Sequence, residues 1–497
     1  MPNRLAMLLF VVTAATVMGA DSEWVHIDSA GKLHYKTSER GDRIMDFSSA
    51  GYGSGGVNLP EVRVARTVAP SGGDDDSAAI QAAIDELATM PLHDGIRGAV
   101  LLKPGVYNCG KPIAIKASGV VLRGSDGTTL RLVGKHAAIS IGAKEAPKPA
   151  GKWVAMIDSY VPSGAIAFHV ESASSFAPGD SILIRRPATP VWVSFMGMDK
   201  LVRNGRKETW VSGQILTERR IRSIENDQLT LDIPLSDSFD VKYLAPPGGA
   251  VAKFAEHRIF NVGVEHLRID SPPQPLTISE PHNSGIAIAG AVDVWVDDVD
   301  LAETIGSVSI AANAKRITVR NVNATHSVPT KGSAKPADFD AGGTQVLFDR
   351  CSGTGDDLFY FVTGARATGP IVLLNCTFHG HGWIQPHQRW ATGLLLDNCH
   401  VPEGGIDLMN RGEMGSGHGW TIGWAVAWNC DARSFTIQEP PGAKNWAIGC
   451  IGAHAKAAMP FAKSPMLPEG TYDASGQRVV PESLYLAQLK QRLSRSP

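Results

Sequence analysis

Between Gly343 and Gly452 the chain repeats one phrase: TQVLFDRC (344–351), GPIVLLNC (369–376), TGLLLDNC (392–399), WAVAWNC (424–430) and WAIGC (446–450). Each is a short apolar run closed by a cysteine, usually with a small polar residue before it. Cys351, Cys376, Cys399, Cys430 and Cys450 are separated by 25, 23, 31 and 20 residues, and Val322 and Val299 fill the same slot upstream at separations of 29 and 23. Self-similarity at this period marks a stacked repeat. A unit this short cannot fold alone, so each turn must bury its apolar strands against its neighbours. The strands are brief, β-branched-rich and bounded by Gly, Pro, Asp or Asn, which predicts a parallel β-solenoid. The cysteines then stack as buried small side chains, and free internal thiols are expected rather than bridges. Cys109 stands apart from the ladder.

With Asn321, Asn375, Asn398 and Asn429 at equivalent turns, the coils resemble the right-handed β-helix of the pectin-lyase-like superfamily. The resemblance implies an all-β fold: a right-handed parallel β-helix with capping helices at both ends and a small antiparallel β insertion.

Working outward, residues 1–20 read as a secretory signal: Arg4, an apolar run from Leu5 to Val17, and Gly19 or Ala20 at the cleavage point. That run is too short to span a bilayer and no other segment is long and apolar enough, so a secreted or periplasmic protein without a membrane partner is expected. Residues 21–136 hold a Gly- and Ser-rich wrap, a helix and the first coils. Asp76 or Ser77 can cap the helix through Ala88, which presents Ile80, Ile84 and Leu87 on one face. Asp74, Asp75 and Asp76 are read as helix-start chemistry. Acid followed by AAIQAAI resembles the N-terminal cap of pectate-lyase-like enzymes and phage tailspikes. Residues 137–250 lose the coil period and alternate as hairpins do. In this insertion Trp192, Phe195, Met196 and Trp210 either overhang a groove or fill an ordinary core. The main helix resumes over 251–455, and 456–497 ends in a helix carrying Leu484, Leu486, Leu489 and Leu493.

The 497 residues carry a net charge of −2 with 19% charged residues. This balance excludes a basic nucleic-acid face, and an acidic ligand would need a local basic groove. The two capped ends predict a monomer.

Each coil has an earlier short strand before its Asn-Cys run: GIAIAG, SVSIAA, ADFD, LFYFVT, WIQPH, GIDLMN and FTIQEP. Alternate side chains of a strand face outward and stacked coils lie about 4.8 Å apart. Polar residues at these strand ends must therefore share a groove: Asp338, Asp340, Asp357, Tyr360, Gln385, His387, Arg389, Asn410, Arg411, Gln438 and Glu439. His387 and His418 each precede an Asn of the ladder, Asn398 and Asn429, by 11 residues, which predicts neighbouring imidazoles. FHGHGWIQPHQRW (378–390) is the densest segment, with His379, His381, Trp383 and Trp390. Sugar rings stack on aromatics and Arg forks grip carboxylates. His326 and His282 are weaker candidates. Asp356 and Asp357 read either as cation ligands, with Ca2+ the candidate cofactor, or as solvated turn acids.

PHQRWATGLLLDN (386–398), SLYLAQL (483–489) and the β insertion resemble bacterial proteins of the pectate-lyase-like group. The resemblance implies a polysaccharide lyase that cleaves a uronic-acid polymer by β-elimination. Such an enzyme needs a carboxylate neutraliser, a base and an acid. Arg389, Arg411 or a cation at Asp356 and Asp357 would neutralise, and His387 would be the base. Tyr360 or His418 would protonate the leaving oxygen. Trp383, Gln385, Trp390, Asn410, Gln438, Asp340 and His326 would hold the sugar. The calcium carboxylates and arginine motif of calcium pectate lyases are not evident, so pectate itself is not implied. A second reading is a polygalacturonase-like hydrolase with paired carboxylates. Gly355-Asp356-Asp357 and the Gly417–Gly423 segment resemble its motifs, although Gly355 and Gly417 lie 62 residues apart. A third is a non-catalytic carbohydrate-binding solenoid.

Overall fold

The computed structural model describes residues 20–143 and 145–495. The expected signal segment, apart from Ala20, lies outside the described residues.

The chain forms a right-handed parallel β-helix. Each coil contributes one strand to each of three parallel sheets. Sheet I contains Thr344–Asp349, Thr368–Leu374 and Ala391–Asp397. Sheet II contains Ser352–Thr354 and Thr377–His379, and sheet III contains Ala337–Ala341, Phe359–Thr363 and Trp383–Ile384. Register is kept from coil to coil: Val346 pairs with Ile371 and Ile371 with Leu394.

The recurring Asn has a local cause. Asn321, Asn375, Asn398 and Asn429 all adopt φ between 49° and 54°, at the bend from sheet I to sheet II. Asn tolerates this left-handed conformation better than most residues. The following cysteine points inward. All six cysteines are free and buried, and each ladder thiol donates to a carbonyl of the preceding coil, as Cys399 Sγ does to Leu373 O at 3.6 Å and Cys430 Sγ to Leu396 O at 3.3 Å.

Two cores result. One fills the solenoid and is closed at its N-terminal end by the helix Ser77–Ala88 through Ile80, Ile84 and Leu87. The other lies outside sheet I, where Leu347, Val372, Leu395 and Val426 meet Trp24, Phe47, Leu484 and Tyr485. The C-terminal helix Leu484–Leu493 therefore covers a flank of the coil. It is tied to the N-terminal wrap: the Phe47 N–H donates to Gln488 Oε1 at 2.8 Å and the Tyr485 hydroxyl to Ala50 O at 3.0 Å.

Under that helix Asp397 is fully buried. Its Oδ2 accepts from Ser483 Oγ at 2.8 Å and the Tyr485 N–H at 2.7 Å, while Oδ1 has no partner. Burial pushes its carboxyl up to about 7 from 3.8. A folded-state value above the unfolded one means the native state binds this proton more tightly. The group's stabilising contribution is complete below the unfolded value and is lost as pH rises through the folded one. Asp397→Asn, which keeps an acceptor for both donors, should flatten the fall in stability between about pH 4 and about pH 7. Urea midpoints across that range check this, and an unchanged slope would refute it.

The antiparallel sheet of the insertion begins at Pro149, not at residue 137, because Ala137–Gly142 pairs in parallel with Ile113–Ile115 and Ser284–Ala289 inside the solenoid. Its six strands run from Pro149–Ala155 to Ala250–Phe254. The whole unit is an enlarged turn from sheet III to sheet I. Trp192, Met196 and Trp210 are buried in its junction with the solenoid and overhang nothing. Among the described residues, no helix is long and apolar enough to cross a membrane.

Candidate functional site

On sheet III, Val308, Phe339, Phe361, Ile384, Ile406 and Phe435 point into the solenoid core. The residues after them form an outward column in register: Ser309, Asp340, Val362, Gln385, Asp407 and Thr436 stack coil on coil. Gln385 Nε2 donates to Asp407 Oδ2 at 2.8 Å. Burial raises the Asp407 carboxyl above its ordinary value, against hydrogen bonds from Thr436 and Gln385.

The turns that lead from this sheet to sheet I carry the densest chemistry. Arg366, Arg389 and His418 occupy successive coils: the Arg366 N–H donates to Arg389 O and the Arg389 N–H to His418 O, each at 3.0 Å. The imidazoles of His387 and His418 meet edge to face, 4.7 Å between centroids at 87°. Gly415 makes room for this, since a Cβ there would lie 2.1 Å from His418 Nε2. Arg411 Nη1 donates to His387 O at 3.1 Å and its guanidinium faces the Phe359 ring at 5.1 Å. Its Nε is buried without a partner. Arg389 Nη2 donates to Ser416 O and Oγ at 2.9 and 2.8 Å.

These surroundings hold both histidines neutral. Burial, then Arg411 and Arg389, bring His387 down to about 4. Burial, then Arg411, His387 and Arg389, bring His418 to about 3, and its Nδ1 is buried without a partner. Burial lowers Arg411 to about 10 against the pull of Asp407, so it remains a cation at neutral pH. The arrangement is an anion-attracting corner that contains two unprotonated bases.

The other sequence candidates are dispersed. Trp383 is half-buried beside Phe359, 6.1 Å between rings, on the outer side of the same sheet. Four candidates face no groove. A register shift between Phe359 and Phe361 turns Tyr360 inward, where it is fully buried, stacks on Phe378 at 5.0 Å and donates to Gly355 O at 3.0 Å. Burial raises that phenol, and a fully buried hydroxyl spent on a backbone carbonyl meets no leaving group. Trp390 is buried against Trp192 and Trp210 and donates to Asp237 Oδ2 at 2.7 Å, which makes it an anchor for the insertion. Asn410 and Gln438 are buried and serve the backbone: Gln438 Oε1 accepts the Asn410 N–H and Gln438 Nε2 donates to Ala457 O.

His326 is paired with the buried Asp338, Nε2 to Oδ1 at 2.6 Å, on the far side of sheet III. Asp356 is engaged by the His381 N–H at 2.7 Å and Asp357 by Lys335. Among the described residues, no three His, Cys, Asp or Glu converge as metal ligands. Asp340 lines a cleft of about 770 Å³ between sheet III and the insertion.

Sequence reasoning overlooked Asp407, Arg366 and Phe359. Asp407 carried a signal, an acid between two inward apolar residues of a strand. Arg366 carried none, since it lies in an irregular turn.

No protein-family model matches the sequence, and no curated protein does. Among solved structures, the chain is similar to the tailspike protein gp49 of Pseudomonas phage LKA1, at 15% identity and TM-score 0.40 over 76% of this chain and 69% of that one. It is also similar to a mannuronan C-5 epimerase A-module of Azotobacter vinelandii, at 12% identity and TM-score 0.32 over 77% and 72%. A third is a tailspike protein of E. coli bacteriophage HK620 in complex with a pentasaccharide, at 10% identity and TM-score 0.42 over 88% and 61%. Likeness at this level says nothing about what this chain acts on.

Proposed function

We propose that the protein is an exported polysaccharide lyase that cleaves a uronic-acid-containing polymer by β-elimination. The observation that carries this reading is the pair of touching imidazoles, held uncharged beside Arg411 and Arg389. Elimination needs a cation for the uronate carboxylate and a neutral base for C5, and both are within one corner. The guanidiniums engage the carboxylate and stabilise the charge that develops on it. His387 takes the C5 proton, the C–H electron pair becomes the C4–C5 double bond, and the C4–O bond breaks. The departing oxygen takes its proton from the imidazolium just formed or from water. Binding of the anionic sugar offsets the field of the two guanidiniums, so the base becomes stronger when substrate arrives.

A paired-carboxylate hydrolase is less well supported. Asp340 and Asp407 are three coil steps apart, about 14 Å at the spacing of stacked strands, beyond the roughly 5–9.5 Å such enzymes use. Asp356 and Asp357 sit on the opposite side of sheet III from His418.

The test is the ultraviolet absorbance of the unsaturated uronate during incubation with a panel of polyuronides and mixed uronate polymers, with and without a chelator. The expected result is a rise that survives chelation. Loss on chelation would move carboxylate neutralisation to a cation. New reducing ends without the absorbance would mean hydrolysis, and neither signal would leave a binding solenoid.

A further inference from the structure

We infer that the cleft between the insertion and sheet III is a subsite for an uncharged, hydroxyl-bearing sugar ring. The polymer that fits the whole groove is then a mixed one, with neutral residues beside its uronates, and this second statement rests on the lyase reading above. The cleft, about 770 Å³, is in the range that holds a small ligand. Its floor is made of short side chains, Ala287, Ala289, Ala311 and Gly342, so a ring can lie close against the coil. Leu216 of the insertion walls the opposite side.

Into this space projects one carboxylate without a partner. Among the described residues Asp340 Oδ1 is buried and accepts no hydrogen bond, and burial raises the group to about 6. The other acid on the lining, Glu218, is already satisfied: Arg258 donates to both its oxygens at 2.9 and 2.8 Å and Lys315 lies 4.0 Å away. An orphaned buried acceptor is costly and calls for a donor. Sugar hydroxyls supply donors. A uronate carboxylate at the same place would put two like charges in a desolvated site.

The sign reverses along the groove. Arg366 sits at the end of the lining nearer the histidines, one coil before Arg389. From Asp340 to His387 is two coil steps and two residues, about 12 Å, a distance a short oligosaccharide bridges. One end of the groove thus suits hydroxyls and the other suits carboxylates.

Saturation-transfer NMR on the intact protein at neutral pH tests this. The probes are methyl glycosides of glucose, galactose, mannose and N-acetylglucosamine, set against glucuronate, galacturonate and mannuronate. At least one neutral glycoside should bind, with affinity reduced about tenfold or more by Asp340→Ala and by the cleft-filling Ala289→Trp, and unchanged by His387→Ala. Asp340→Asn, which preserves shape, guards against misfolding and should weaken binding less than Asp340→Ala. Cleft-dependent binding of uronates, or no neutral glycoside whose binding depends on the cleft, would overturn the inference. Cleft-dependent binding without any polyuronide cleavage would sink the lyase reading and leave the subsite standing, and cleavage without such binding would do the reverse.

Discussion

His387→Ala should lower the turnover of a uronate polymer by about 10²–10⁴-fold, the range for loss of a positioned base. It should leave polymer binding largely intact, because the guanidiniums remain. The pH profile carries the sharper expectation. An ordinary histidine base would make the rate fall below pH 6.5. Here burial and two neighbouring cations keep His387 unprotonated down to about pH 4. Since kcat/KM reports the free protein, its acid limb should lie near 4. The limb of kcat should lie higher, because the bound carboxylate offsets Arg411 and Arg389. Removing one of those cations, as in Arg411→Met, should move the kcat/KM limb upward by part of the difference, burial being the larger cause of the depression. A wild-type kcat/KM limb near pH 6.5 would exclude His387 in this role.

Trp390→Ala should destabilise the protein by about 3–5 kcal/mol, the usual cost of truncating a large buried aromatic. The indole packs against Trp192 and Trp210 and donates to Asp237. Asp237 also accepts from Trp424 Nε1 at 3.1 Å and pairs with Arg186 at 3.1 Å, so the truncation opens a cavity and unbalances a buried polar cluster. The effect should concentrate in residues 149–254. Limited proteolysis is expected to cut there first, and urea unfolding to gain an early phase. Activity should fall as well, since Trp210 Nε1 donates to Trp420 O in the turn that carries His418. A loss of less than about 1 kcal/mol, the scale of an ordinary surface change, would show that the junction is held elsewhere.

These two residues show what the sequence reveals. The coil was readable because its constraints repeat and are local. Each Asn marks a left-handed bend and each Cys a small inward slot, and one turn of chain suffices to see them. The approach of His387 to His418 followed from equal offsets to that same ladder. What could not be read depends on departures from the repeat or on distant partners. Tyr360 points inward because the register shifts by one beside it. Trp390 leaves the groove because Arg389 and Trp390 both adopt positive φ, 55° and 60°, and because its partners lie roughly 150–200 residues earlier in the chain. Asp340 was visible as a polar residue on the outer face, but its isolation was not, since the wall that desolvates it belongs to the insertion.

The insertion leaves the coil at one turn and rejoins it one step further on. Ala137–Gly142 before it still pairs residue by residue with Ser284–Ala289 after it. More than a hundred residues thus stand between two strands that are paired neighbours in the stack. The turns from sheet III to sheet I behave as interchangeable fittings on a fixed rail: lengthening or replacing one alters the groove beside it while the hydrogen bonds of the rail stay in register. A groove of different shape can be built here by exchange of a single turn, and the segments 149–254 and 410–421 are the natural units to graft.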